Sequence, residues 1–187
     1  MRYTVFSPDH EVLGAAIISY RNSVNEPNYR EIYTQLGLDQ VQPDQWYPFQ
    51  KMLDVFNILA EREGAMMDFV SIALAAVVGS PMPPEFDEMP FVQIMQAFSH
   101  AITLVNRGTD YGYATVTEVE PNHLRIDARY PAPDDITYGA LYGYAKRFLP
   151  KGSKFTLRYD EATLRREHGG DVTVMHLTWT FPENVRQ

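Results

Sequence analysis

Cysteine is absent from the 187-residue chain, which excludes a disulfide framework, a thiolate metal site and a cysteine nucleophile. Positive charge is scarce: 16 Lys and Arg stand against 24 Asp and Glu, a formal net charge of −8. The deficit lies in the first half, where residues 1–90 hold 5 basic and 13 acidic side chains, against 11 of each in residues 91–187. Phosphate-backbone binding rests on clustered Lys and Arg, so no nucleic-acid partner is expected. The acidic half reads as solvated helix surface. The most apolar stretch, residues 65–79, is interrupted by Asp68 and is shorter than the roughly 20 residues of a bilayer span, so no membrane association is expected. The opening residues lack the sustained apolar core of a secretory signal, and a cytoplasmic location is the expectation. Walker loops, dinucleotide-binding glycine fingerprints, nucleophile elbows and helical histidine pairs at zinc spacing are all missing, which argues against an enzyme.

What is there suits a packed core. The chain is 45% hydrophobic, and its 12 tyrosines bring polar tips that need partners once buried. The three-and-four spacing of Phe49, Met52, Leu53, Phe56, Leu59 and Ala60 predicts a helix bracketed by Pro48 and Gly64. Residues 12–24 and 27–36 read as shorter helices, 65–78 as a buried one, and the proline-rich stretch 81–86 as a joint. Phe91, Ile94, Met95, Phe98, Ile102 and Val105 form the stripe of a helix over residues 88–107.

Strands are expected at 111–119 and 122–130. In the second, Leu124, Ile126, Ala128 and Tyr130 alternate with His123, Arg125, Asp127 and Arg129, so one face is packed and one wet. A helix over 135–148 follows, then strands at 153–159 and 172–181 around an excursion at 160–170. The expected fold class is α+β: a helical N-terminal half packed on a four-stranded antiparallel sheet with a crossing helix. The expected organisation is a single domain over 1–187, with a helical subdomain 1–80 and an α+β subdomain 87–187.

A helix bearing His100, two alternating strands, the corner Tyr130 to Asp134 and a glycine-containing helix follow in that order. The order resembles the C-terminal half of the haem–nitric oxide/oxygen-binding (H-NOX) domain, and with the helices in front the resemblance covers most of the chain. The resemblance implies a non-catalytic sensory domain for a gas or small hydrophobic ligand, haem as cofactor, and output to a separate signalling partner. In that family a helix histidine is the axial ligand, and a Tyr-x-Ser-x-Arg motif grips the haem propionates. His100 matches the first and Tyr130 the tyrosine of the second. Ala132 and Asp134 stand where the serine and arginine would be. Alanine has no hydroxyl, and aspartate repels a propionate that arginine would pair with bidentately.

The residues add two constraints of their own. At about 100° per residue, His100 lies nearly opposite the apolar stripe, beside Gln93, Gln96 and Thr103, as a solvent-facing histidine would. Gly139 and Gly143 lie four apart on one helix, each costing roughly 1 kcal/mol relative to alanine. Tight packing on the helical half, a cavity wall or a homodimer seam would offset that cost. Asp134 and Asp135 read as helix caps, and His123, His168 and His176 as surface groups. The alternative to a sensor is a haem-free interaction or scaffold protein acting as a dimer, as in small α+β domains of the vinyl-reductase-like and vesicle-tethering kinds.

Overall fold

Local pattern decides most elements of the computed structural model, which describes residues 2–61, 65–82 and 84–182. The chain enters through a three-residue strand, β1 (Glu11–Leu13), and turns directly into α1 (Gly14–Asn22). The single helix expected over 12–24 is therefore split. Gly14 marks the break: a β-carbon there would stand 1.9 Å from the Gln42 carbonyl oxygen. Only glycine lets the two segments approach so closely, and the Gly14 and Ala15 amides donate to the Gln45 and Pro43 carbonyls.

The helix α2 (Pro27–Gln35) starts on proline, whose missing N–H costs nothing in a first turn. Next come β2 (Trp46–Pro48), α3 (Phe49–Ala60), α4 (Ala65–Gly79), a short 3-10 turn at Pro84–Asp87 and α5 (Phe91–Val105). Pro90 precedes α5 and Asn106 leaves it for an extended conformation, so the helix is shorter than the 88–107 expected. The expected stop at Gly64, and Pro83 of the expected joint, lie outside the described residues.

The second half follows its alternation. After β3 (Asn106–Arg107) come β4 (Tyr113–Glu120), β5 (His123–Arg129), α6 (Asp134–Phe148), β6 (Lys154–Tyr159) and β7 (Thr173–Thr180). The four long strands pair antiparallel in the order β4-β5-β7-β6. The short strands form a second sheet, β2-β1-β3, that clips the N-terminal half to the end of α5. The architecture is α+β, with the helical half packed on the sheet and α6 crossing between them.

Two apolar clusters hold it together. One gathers α1 to α4 around Tyr33, Leu53 and Phe56; the other gathers α5 and the large sheet around Leu124, Ile126 and Leu177. The helix α6 feeds both, with Ile136 and Ala140 in the first and Leu141 and Ala145 in the second. Val77 and Phe98 touch both clusters. Among the described residues, no helix is long and apolar enough to cross a membrane.

Candidate functional site

The two clusters leave a hollow between them, a cavity of about 200 Å³. Ile17 of α1, Phe56 of α3, Phe98 and Ala101 of α5, and Ala140 of α6 supply apolar wall. Polar groups are few: Asn106, Thr137 and the phenols of Tyr20, Tyr130 and Tyr144. An outer groove beside α1 and the end of α4 shares Ala16, Tyr20, Val77, Val105 and Tyr144 with the cavity, so these residues form the neck between the two.

Asn106 is the pivot of the inner end. The chain leaves α5 at Val105 and pairs Asn106 with Val12 across the small sheet, burying its amide. Its Nδ2 donates to the Ile102 carbonyl at 2.9 Å. Its Oδ1 accepts from the Tyr130 hydroxyl at 2.8 Å and lies 2.9 Å from His10 Nε2. An amide oxygen cannot donate, so His10 carries its proton on Nε2. The imidazole is 1% exposed and lies against the Phe49 ring at 4.4 Å between centroids. Its Nδ1 has no hydrogen-bond partner among the described residues. Burial lowers the pKa of His10, only partly opposed by the bond to Asn106.

That shift has a sign that can be tested. Unfolded His10 titrates near about 6.5, and the folded imidazole titrates lower. Above both values the two states bind protons equally. As pH falls from about 6.5 through the folded value, the unfolded chain protonates first, and stability drops by at most about 1.4 kcal/mol per pH unit. Denaturant unfolding at about pH 7.5 and about pH 5.5 is expected to show this loss in the wild type and to show less in His10→Gln. Equal losses in both proteins would contradict it.

Of the four residues expected to hold a cofactor, His100, Tyr130, Gly139 and Gly143, Tyr130 lines the cavity and the other three do not; Ala132, at the motif's serine position, lines it as well. His100 sits on the exposed face of α5, with its Nδ1 3.3 Å from the Thr103 hydroxyl, and the cavity is lined by other residues of that helix. Gly139 and Gly143 face α4. A β-carbon on Gly139 would stand 2.4 Å from the Val70 carbonyl oxygen, and one on Gly143 would stand 3.0 Å from the Val77 β-carbon. Both glycines serve a close helix contact inside the molecule, which removes the reason to place them in a cavity wall or an outer seam.

Asp134 and Asp135 are buried and make no side-chain cap on α6. The Tyr159 hydroxyl donates to Asp135 at 2.6 Å. The excursion between β6 and β7 folds back on the same corner, where Arg166 donates to the Ala132 carbonyl at 2.7 Å and lies 3.6 Å from Asp134. His123 and His176 meet at 2.8 Å through a cross-strand diagonal, and His176 Nε2 lies 3.0 Å from Asp160. The bond from His176 is the main cause that lowers the Asp160 pKa. None of these three lines the cavity. His168 is exposed, 3.0 Å from Arg165. Among the described residues, no group of three or more His, Asp or Glu is placed to hold a metal.

Haem does not fit this arrangement. Its iron takes an axial His, Cys thiolate, Met or tyrosinate. Among the described residues, no imidazole lines the cavity. Met52 does, but its sulfur accepts from the buried Tyr33 hydroxyl at 3.9 Å. Burial pushes the pKa of Tyr20, Tyr130 and Tyr144 up, away from the tyrosinate form. The cavity, at about 200 Å³, is smaller than the roughly 300–1,000 Å³ of pockets for drug-sized ligands. The corner that would grip propionates presents Asp134, already facing Arg166.

No protein-family model matches the chain, and no curated protein matches it. Solved structures do. An H-NOX protein from S. oneidensis in the Fe(II) ligation state aligns with a TM-score of 0.70 at 13% identity, over 94% of this chain and 100% of that one. A structure of an S. oneidensis H-NOX protein in the Fe(II)NO state aligns at 0.69 and 12% identity, over 90% and 99%. An oxygen-binding H-NOX domain related to soluble guanylate cyclases, in its oxygen complex, aligns at 0.68 and 13%, over 93% and 96%. At these identities the likeness speaks for architecture, and over nearly its whole length this chain has an H-NOX-like fold.

Proposed function

We propose that this chain is a non-catalytic sensory domain that takes a small, largely apolar molecule in the cavity between its two halves, without haem, and passes the signal to a separate protein partner. The H-NOX-like architecture supports a sensor, because the solved relatives of this shape are described by their Fe(II), NO and oxygen states. The observation that carries the reading is the cavity itself: a largely apolar hollow where the helical half meets the sheet half, with no imidazole from the described residues in its wall. An apolar cavity of about 150 Å³ holds benzene or xenon, so about 200 Å³ suits a molecule of one ring or a short chain.

Two measurements on one preparation test this. Protein from cells supplied with haem precursor is expected to show no haem absorption band. The same protein is expected to melt at a higher temperature in benzene-saturated buffer, because a ligand of the folded state alone stabilises it by mass action. Stoichiometric haem whose absorption band disappears in His100→Ala would overturn the haem-free reading. An unchanged melting temperature would overturn the cavity as a ligand site.

A further inference from the structure

The hydrogen-bond order at the inner end of the cavity fixes which proton each group can offer. The Ile102 carbonyl accepts from Asn106 Nδ2, which sets the orientation of the side-chain amide. The amide oxygen therefore points at Tyr130 and His10, and both must donate to it. The Tyr130 hydroxyl has spent its only hydrogen and keeps only lone pairs. Asn106 retains a second N–H on the nitrogen that holds Ile102. This end of the cavity thus offers an acceptor fixed by its neighbours and a nearby donor. The hydroxyls of Tyr20 and Tyr144 make no hydrogen bond among the described residues, so they rotate to suit any ligand and discriminate little.

We infer, resting on the reading of the cavity as a ligand site, that its ligand is a one-ring molecule carrying a hydroxyl, which donates to the Tyr130 oxygen. A hydroxyl gives a proton to Tyr130 and can receive one from Asn106. A carbonyl compound of the same size can only receive, and it would face the Tyr130 lone pairs with its own. A hydrocarbon leaves both groups without a new partner. Burial keeps Tyr130 protonated by raising its pKa, so its role as donor to Asn106 does not change over the working pH range.

Phenol, benzaldehyde and toluene test the inference, since they share one ring and differ in donor and acceptor. Titration calorimetry on the wild-type protein is expected to give phenol about a tenfold lower Kd than benzaldehyde, the discrimination that one hydrogen bond supplies. Tyr130→Phe is expected to bring that ratio to within about threefold, whereas Tyr20→Phe leaves it near ten. Asn106→Leu frees the Tyr130 hydrogen to donate into the cavity, and benzaldehyde is then expected to gain on phenol. Should Asn106→Leu fail to fold, the wild-type and Tyr130→Phe ratios decide alone. Equal affinity for phenol and benzaldehyde in the wild type, or a ratio untouched by Tyr130→Phe, overturns the inference while leaving the cavity a ligand site. Failure of all three compounds to bind overturns both.

Discussion

Ala101→Phe is expected to abolish small-ligand binding and to leave the fold standing. Ala101 is half-buried on α5, and its side chain forms part of the cavity roof. A phenyl ring is the size of the molecule that fills an apolar cavity of about 150 Å³, so it takes most of the about 200 Å³ present here. Extra bulk in a filled core costs about 1–3 kcal/mol, but this ring enters a hollow and gains buried apolar area at about 25 cal/mol per Å². It breaks none of the hydrogen bonds around Asn106. Calorimetry with phenol at about 100 times the wild-type Kd is expected to show no heat of binding, and the melting temperature is expected to equal or exceed that of the wild type. Binding retained at wild-type strength would place the ligand elsewhere.

The second large effect separates two glycines that look alike in the sequence. Alanine in place of a mid-helix glycine gains about 1 kcal/mol of helix propensity, and packing decides whether that gain survives. At Gly139 the new methyl would lie 2.4 Å from the Val70 carbonyl oxygen, which is helix backbone and cannot move without shifting α4. At Gly143 it would meet the Val77 β-carbon at 3.0 Å, a milder overlap that a shift of a few tenths of an ångström between the two helices relieves. Gly139→Ala is therefore expected to lose about 1–3 kcal/mol, and Gly143→Ala to stay within about 1 kcal/mol of the wild type. Denaturant midpoints measure both. Equal midpoints for the two variants would show that α4 and α6 are not held together as described.

The sequence makes the larger architecture legible because its signals are long. Alternation over Leu124, Ile126 and Ala128 and the stripe from Phe91 to Val105 each repeat often enough to name an element and its buried face. The small sheet is invisible by the same reasoning: strands of two or three residues carry no period, and β1 reads as the first turn of the helix that follows. Helical geometry turns His100 away from the apolar stripe, and its exposed position has that same orientation.

The inner end of the cavity is harder to read. His10 stands between Asp9 and Glu11, a local pattern typical of surface turn, yet it is buried against a residue 96 positions away. Asn106 follows an apolar helix and looks like a terminating residue, with no local sign that three groups converge on its amide. Arg166 lies in a segment that resembles a surface excursion, and only the folded chain returns it to Ala132. The cavity is assembled from residues as distant as Val12 and Tyr144, so no window of sequence contains it.

Xenon pressurisation of crystals reads the hollow without assuming any chemistry of the ligand. The expected result is a xenon peak enclosed by Ile17, Phe56, Ala101 and Ala140, absent from crystals of Ala101→Phe. A wild-type crystal with no peak there and side chains packed solidly across the space would contradict the account.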